Sequence, residues 1–283
     1  MSVILETSLA SKYEEVKKII FDMGEVVIAM SGGVDSVLLA KIAYDVLKDD
    51  ALAVTADSPS LPRRELEETR RITKLIGIKH RIITTNEIHD PRYSANPFER
   101  CYFCKSELFE QLDIIKRETN VKWIIFGENI DDQSDHRPGN KAAREHFVRG
   151  PLREANLSKK EIRTLAKSLE LPIWDKPASA CLASRIPYGE EVTEGKLKQI
   201  EESENYLWDL GFRGLRVRHH GEIARIEVSP EQMHHIIEIA NDIYINITQF
   251  GFKYVTLDLG GYRRGSLNEG FGLIPLEKVG SSS

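Results

Sequence analysis

Only three of the 283 residues are cysteine, at positions 101, 104 and 181. So low and odd a count excludes a disulfide scaffold and leaves metal, redox or nucleophilic chemistry for the thiols. No apolar run approaches the roughly 20 residues of a membrane span. The opening MSVILETSLASKYEEV lacks the basic stretch and long apolar segment of a secretory leader, so a cytoplasmic location is expected. Positive charge is also in short supply, 39 Lys and Arg against 44 Asp and Glu, for a net −5. Coating nucleic acid relies on many Lys and Arg contacts to phosphate, so neither nucleic acid nor membrane is expected as a partner, although a local basic pocket is compatible with the total. The 41% hydrophobic and 29% charged content is that of an ordinary globular chain, long enough for one large domain or two smaller ones.

What the chain does have is Ser31-Gly32-Gly33-Val34-Asp35-Ser36, placed after the apolar run 26–30 and before Val37-Leu38-Leu39-Ala40-Lys41-Ile42, whose apolar spacing is helical. The order strand, glycine turn, helix aims backbone N–H groups and the positive end of a helix at an anion. The Gly-Lys-Ser/Thr ending of a Walker A loop is missing. The hexapeptide resembles instead the PP-loop of ATP pyrophosphatases, enzymes that cleave ATP between its α and β phosphates and leave AMP on a substrate. In other chains a Ser-Gly-Gly turn is a mere connection. Here the buried strand before it, with Asp35 and Ser36 placed to meet metal and phosphate, favours the cradle.

Residues 8–23 read as an amphipathic helix with Leu9, Tyr13, Val16, Ile19 and Ile20 on one side. Residues 51–56 read as a second buried strand ending at Asp57-Ser58, 62–76 as a helix closed by Gly77, and 80–84 as a third strand. A helix over 101–117 and a fourth strand over 122–126, stopping at Gly127, follow. This alternation predicts an α/β fold, a parallel sheet with helices on both faces, whose ligands bind beyond the carboxyl ends of the strands. The loop 31–36, Asp57, Ser58 and Gly127-Glu128-Asn129 all fall there. Residues 128–139 read as one long polar loop, its acids suited to Mg²⁺ and Arg137 to a phosphate, unless it is a plain solvated surface. Ser158 caps a short helix over 159–169. The prolines at 177 and 187 mark a boundary, giving a nucleotide-binding domain over 1–185, a smaller α+β domain over 186–279 and a flexible tail, 280–283. In the smaller domain, helices over 194–210 and 231–250 each end in Gly-Phe and a basic residue, at Gly211-Phe212-Arg213 and Gly251-Phe252-Lys253. Strands over 215–219, 223–228 and 254–259 are expected to form an antiparallel-rich sheet.

Cys101-Tyr102-Phe103-Cys104 opens a helix and puts two thiols within reach of one metal. Alone, the pair reads as a zinc half-site completed by His136 or His146, a redox dithiol, an iron–sulfur pair or unlinked thiols. Cys181, 77 positions after Cys104, lies in a segment expected to return to the same end of the sheet, and three thiolates can hold a [4Fe–4S] cluster with one iron open. On the strand 215–219, Arg216 and Arg218 alternate onto one face, a spacing that lets two guanidiniums grip a phosphate, with Arg263 and Arg264 nearby; the plainer alternative is a solvated sheet face. His219 and His220 read as surface residues.

Taken together these segments resemble the LarE family, the ATP-dependent sulfur transferases of nickel-pincer cofactor synthesis. The resemblance covers nearly the whole chain and rests on the 31–36 loop, Arg137-Pro138-Gly139, Ser184-Arg185-Ile186-Pro187-Tyr188-Gly189, Arg216-Val217-Arg218 and the run from Tyr254 to Leu259-Gly260-Gly261-Tyr262-Arg263. It implies a substrate, pyridinium-3,5-biscarboxylic acid mononucleotide, whose carboxylates are adenylated by ATP before sulfur displaces AMP. It also implies that Ser31, Gly32, Gly33, Asp35 and Ser36 hold ATP, with Asp57, Ser58 and Gly127 at the neighbouring strand ends, and that Asp35 helps place Mg²⁺. Ser184, Arg185, Arg216, Arg218 and Arg263 would bind the substrate, and Glu204 matches an active-site glutamate. Members that sacrifice their own cysteine sulfur carry it where this chain has Ala180, and they lack the C-x-x-C pair. The resemblance therefore implies the cluster-dependent variety, with Cys101, Cys104 and Cys181 as metal ligands, sulfide or a sulfur-donor protein as partner, and a homo-oligomer. A sacrificial Cys181, a cluster-dependent tRNA thiolase and a non-catalytic nucleotide-binding protein with structural zinc are the rival readings.

Overall fold

The computed structural model describes residues 7–133, 138–177 and 180–263, so His136, Arg137, Arg264 and the 280–283 tail lie outside the described residues. The chain divides into two compact units. The first holds everything up to Tyr93 and then 98–179; the second consists of Ser94–Pro97 and the chain from Ala180 onward. Among the described residues no helix is long and apolar enough to cross a membrane.

In the first unit helix α1 (Thr7–Met23) precedes β1 (Val26–Ala29), α2 (Val34–Leu47), β2 (Ala51–Asp57), α3 (Arg63–Ile76) and β3 (Lys79–Thr84). Helix α4 (Arg100–Thr119), β4 (Trp123–Phe126), α5 (Pro138–Glu145) and α6 (Lys159–Ser168) complete it. The strands are parallel, in the order β3-β2-β1-β4. Because side chains alternate along a strand, Val26 and Ile28 enter a core with α1, α2 and α6, while Val27 enters a second core with α4 and α5 on the opposite face. Both faces are covered, which is why β1 is apolar throughout. The chain steps outward from β1 to β2 and β3, then returns to the far side of β1 as β4. Such a reversal opens a crevice between the two strands' carboxyl ends. The loop expected at 128–139 is partly regular: a 3₁₀ turn spans Ile130–Gln133, and α5 begins at Pro138, where a first-turn proline forfeits no hydrogen bond. Ser158 and Glu161 close a capping box at the start of α6.

The second unit contains α7 (Glu194–Asp209), β5 (Arg216–His220), β6 (Ile223–Glu227), α8 (Pro230–Glu238), α9 (Ala240–Gln249) and β7 (Tyr254–Leu257). Strand β6 is central. It pairs with β5 antiparallel through a two-residue turn led by Gly221, φ +61, and with β7 parallel after the helical crossover. The sheet is therefore mixed, which corrects the antiparallel-rich expectation. The single helix expected over 231–250 is two, parted at Ile239 (φ −109, ψ 21) without a glycine or proline to mark it. Gly211 (φ +99) and Gly251 (φ +105) end α7 and α9 and turn Phe212 and Phe252 into one core. The duplicated Gly-Phe segment thus stands once on each side of β6.

Ser94–Pro97 acts as a strap of this unit. Asn96, fully buried, donates from Nδ2 to the carbonyls of Ile186 (3.3 Å) and Pro187 (2.7 Å) and accepts the Gly189 N–H at 3.0 Å. The Val192 N–H reaches the Ser94 carbonyl at 2.8 Å.

His219 is buried rather than at the surface, because the alternation that turns Val217 into the core turns His219 the same way. Its Nε2 lies 3.0 Å from Gln199 Oε1 and its ring 5.1 Å from that of Phe252. Burial first, then the charges of Lys196 and His220, push its pKa down from 6.5 to about 4. The unfolded chain therefore takes up this proton before the folded one does, and stability falls as pH drops from 6.5 towards 4. Urea unfolding of the full chain across that window should show up to about 3 kcal/mol of this loss in the wild type, and His219→Gln should remove it from the difference between the two proteins.

Candidate active site

The loop at the carboxyl end of β1 is shaped by contacts that tolerate no side chain. Gly32 has φ +76, and a Cβ there would collide with the Thr69 hydroxyl of α3. A Cβ on Gly127, at the end of β4, would come within 2.6 Å of the Ser36 backbone nitrogen, so β4 abuts the first turn of α2. Ser36 closes the turn by donating to the Gly33 carbonyl at 3.0 Å and accepting the Ser31 N–H at 3.2 Å. The Ser31 hydroxyl lies 3.2 Å from that of Ser36. The loop 31–36 and Gly127 thus meet at the crevice between β1 and β4, with the positive end of α2 behind them.

Both carboxylate oxygens of Asp35 are engaged. Asn129 Nδ2 donates to Oδ1 at 3.2 Å, and the Lys159 ammonium is paired with Oδ2. The Asn129 N–H reaches Asp132 at 3.1 Å, Asp131 accepts the Lys159 backbone N–H at 2.7 Å, and the Asn129 side chain accepts the Asp131 N–H at 3.0 Å. A carboxylate already facing a cation suits Mg²⁺, which takes one or two carboxylates and completes its shell with phosphate and water. Beside it, burial pushes the Glu128 carboxyl up, against the pull of Arg153 at 3.0 Å. At the end of β2, Asp57 pairs with Arg63, which also donates to the carbonyls of Ser58 (2.6 Å) and Leu61 (2.8 Å), while the Ser58 hydroxyl donates to buried Glu87. Asp57 and Ser58 therefore brace the β2–α3 turn through their own side chains.

Cys101 and Cys104 occupy the first turns of α4, three residues apart and so on one face; Cys101 is exposed and Cys104 half-buried. Cys181 is half-buried at the start of the second unit. Among the described residues no three or more His, Cys, Asp and Glu side chains are gathered so that they could hold a metal ion, the expected set of three cysteines included. His146, a candidate fourth ligand, faces Asp113 at 2.9 Å.

In the second unit the hairpin register sets Arg216 opposite Glu227 and Arg218 opposite Arg225. Fully buried Glu227 accepts from Arg218 Nε (3.0 Å) and Nη2 (2.8 Å) and, on its other oxygen, from Arg225 (3.0 Å). Asp258 lies between Arg225 (3.6 Å) and Arg263 (3.7 Å). Arg185, in the 3₁₀ turn Leu182–Arg185, forks onto Glu204 at 3.0 and 2.9 Å and binds the carbonyls of Ala180 (2.6 Å) and Cys181 (2.9 Å). Glu204 also accepts the Val217 N–H at 3.0 Å, and Arg218 reaches the Ser184 carbonyl at 3.0 Å. The two-arginine grip read from the strand is thus modified: the Arg218 fork faces Glu227.

Arg216 is different. It donates to the Leu215 carbonyl at 2.6 Å and lies 5.3 Å from the Tyr262 ring, with no carboxylate at ion-pair distance among the described residues. Burial, and then the neighbouring Arg185 charge, push its guanidinium below the usual range. It is the cation of this face that an anionic ligand would relieve. Sequence reasoning assigned no role to Lys159, Arg225, Glu227 or Asp258, and placed Asn129 at the strand ends without its partner. The alternation Arg225, Glu227 after the Gly221 turn was the visible signal for two of them; Lys159 and Asn129 are brought to Asp35 only by the fold.

Residues 5–99 match the NAD synthase family model. An uncharacterized protein of Synechocystis sp. is 47% identical over 92% of this chain and 98% of its own length. The pyridinium-3,5-bisthiocarboxylic acid mononucleotide synthase of Lactiplantibacillus plantarum is 34% identical over 93% of this chain and 95% of its own. The chain belongs to the LarE family. A subunit of the glutamine-hydrolyzing GMP synthase of Methanocaldococcus jannaschii is 30% identical over 67% of the chain and 64% of its own length, in keeping with the PP-loop that the LarE family shares with other ATP-using enzymes.

Replacing Glu227 by glutamine removes the charge that the buried Arg218 fork is set against, a loss of about 3–5 kcal/mol. Thermal unfolding of Glu227→Gln should show that destabilisation, and adding Arg218→Met should recover part of it. A Glu227→Gln protein as stable as wild type would show that the pair does not organise this face.

Proposed function

We propose that this chain is an ATP-dependent sulfur transferase that adenylates the carboxylates of pyridinium-3,5-biscarboxylic acid mononucleotide and replaces AMP with sulfur. The observation that carries this reading is the end-to-end match to the L. plantarum synthase, 93% of one chain and 95% of the other. In the first half-reaction a substrate carboxylate oxygen attacks the α phosphate and pyrophosphate leaves. The N–H groups of the 31–36 loop and the positive end of α2 receive that pyrophosphate, and Asp35 would help hold a Mg²⁺, which would offset the phosphate charge. In the second half-reaction a sulfur nucleophile attacks the acyl carbon and AMP departs.

Arg216 meets the anionic groups of the substrate, with Ser184, Arg185, Arg218 and Arg263 framing it. Glu204 acts as a positioning residue, since one carboxylate holds both the Arg185 fork and the β5 backbone. Cys101, Cys104 and Cys181 would hold a [4Fe–4S] cluster, their three thiolates being soft donors of the kind that bind such iron. When bound, that cluster supplies a sulfur nucleophile at the sulfide oxidation level, so that sulfide or a sulfur-donor protein can recharge the enzyme. Division of labour follows the two units, with ATP on the first and the acceptor on the second, in a homo-oligomer.

Anaerobic reconstitution followed by reaction with ATP, Mg²⁺, sulfide and the biscarboxylate tests this. The wild type should make more than one thiocarboxylate per chain, while Cys101→Ala and Cys104→Ala should each make at most one. Repeated turnover in those variants would sink the cluster. Thionucleoside formed in bulk tRNA, or bound zinc with no ATP consumed, would replace the reading altogether.

A further inference from the structure

Asp35 is the one carboxylate within the 31–36 loop, and its Oδ2 is held by an ammonium whose residue begins a different helix, 124 positions later. That ammonium is firmly placed. Lys159 is the first residue of α6, its backbone N–H is fixed on Asp131 at 2.7 Å, and the capping box Ser158/Glu161 sets the helix start. Helix α6 is itself packed into the core shared with α2 through Ile162, Leu165 and Ala166. The Lys159 side chain stays one-third exposed and Asp35 one-sixth, so the pair lies at the rim of the crevice and its members can exchange partners. The Asn129 amide holds Asp35 Oδ1 at 3.2 Å, so the carboxylate keeps its direction whichever cation faces Oδ2.

We propose that Lys159 couples metal binding to nucleotide binding: its ammonium and a divalent cation compete for Asp35 Oδ2, and nucleotide phosphates, by drawing the ammonium to themselves, hand the carboxylate to the metal. This rests on the reading of the loop as an ATP site, but not on the identity of the acceptor or of the sulfur source. An ammonium and a divalent cation do not share one carboxylate oxygen at close range without repulsion. Phosphate offers the ammonium an acceptor at least as good as Asp35. Metal alone therefore meets a competitor, and metal with nucleotide does not. The coupling is reciprocal, so the metal strengthens nucleotide binding by the same factor. The device keeps Mg²⁺ from occupying the loop before there is a phosphate to bridge.

Mn²⁺ titration of the full chain, followed by electron paramagnetic resonance with and without α,β-methylene-ATP, which cannot be cleaved between its α and β phosphates, tests this. For the wild type the analogue should tighten Mn²⁺ binding about tenfold or more. Lys159→Met should bind Mn²⁺ alone about tenfold more tightly than the wild type and lose most of the response to the analogue. Lys159→Arg, which keeps a cation on Asp35, should behave like the wild type, and Asp35→Asn should abolish the tight site in either background. Unchanged Mn²⁺ affinity in Lys159→Met, or a tight site that survives Asp35→Asn, would overturn the proposal. Should Lys159→Met fail to give the wild-type circular dichroism, Lys159→Gln serves in its place. If the analogue does not bind wild-type protein at all, the ATP reading of the loop fails with it; if it binds without tightening Mn²⁺, only the coupling fails.

Discussion

The first turn of α2 is trapped between two surfaces that leave no space for a Cβ, Thr69 against Gly32 and the Ser36 backbone against Gly127. Everything in the first unit follows from that pinch. It fixes how far β4 can extend beside β1, how close α3 lies to the loop, and where the N–H groups of 31–36 point. A binding loop clamped between strand ends has little freedom left to lose when a ligand arrives, which is the physical meaning of preorganisation. The parallel register, Val26 beside both Ala51 and Trp123, carries the same constraint back into the core.

Order in the second unit comes from charge rather than close backbone approach. Arg185, Arg218, Arg225 and Arg263 are each set against a carboxylate: Glu204, Glu227 or Asp258. Guanidiniums are planar and forked, so a carboxylate in front of one fixes its plane as well as its place. The acids turn a crowd of positive charge into a rigid frame and leave Arg216, among the described residues, as its unmatched member. Long basic side chains without such partners would sample many rotamers and present no defined surface.

Much of this was legible in the chain. The 31–36 loop was readable because its glycines and flanking periodicities are local, and the strands because β1, β2 and β4 are apolar runs ended by glycine or polar residues. The shared face of Arg216 and Arg218 followed from a period of two. Partners were not readable, since Glu227 faces Arg218 only through a hairpin register, and Lys159 faces Asp35 only because α2 and α6 share a core. The break at Ile239 and the parallel entry of β7 left no trace because neither needs a glycine or proline. His219 was misread because histidine is usually wet, whereas the alternation on β5 outweighed that preference.

The strap at Ser94–Pro97 also has a temporal side. Asn96 is joined to Ile186 and Pro187 by hydrogen bonds spanning 90 and 91 positions. A ribosome that has released Asn96 must add most of a hundred further residues, β4 and α6 among them, before the carbonyls it serves exist. Contacts of such long sequence separation are slow to close. The second unit therefore cannot be built from the late part of the chain alone: a piece of it is made before β4 completes the first unit's sheet, and the carbonyls that fix that piece come last.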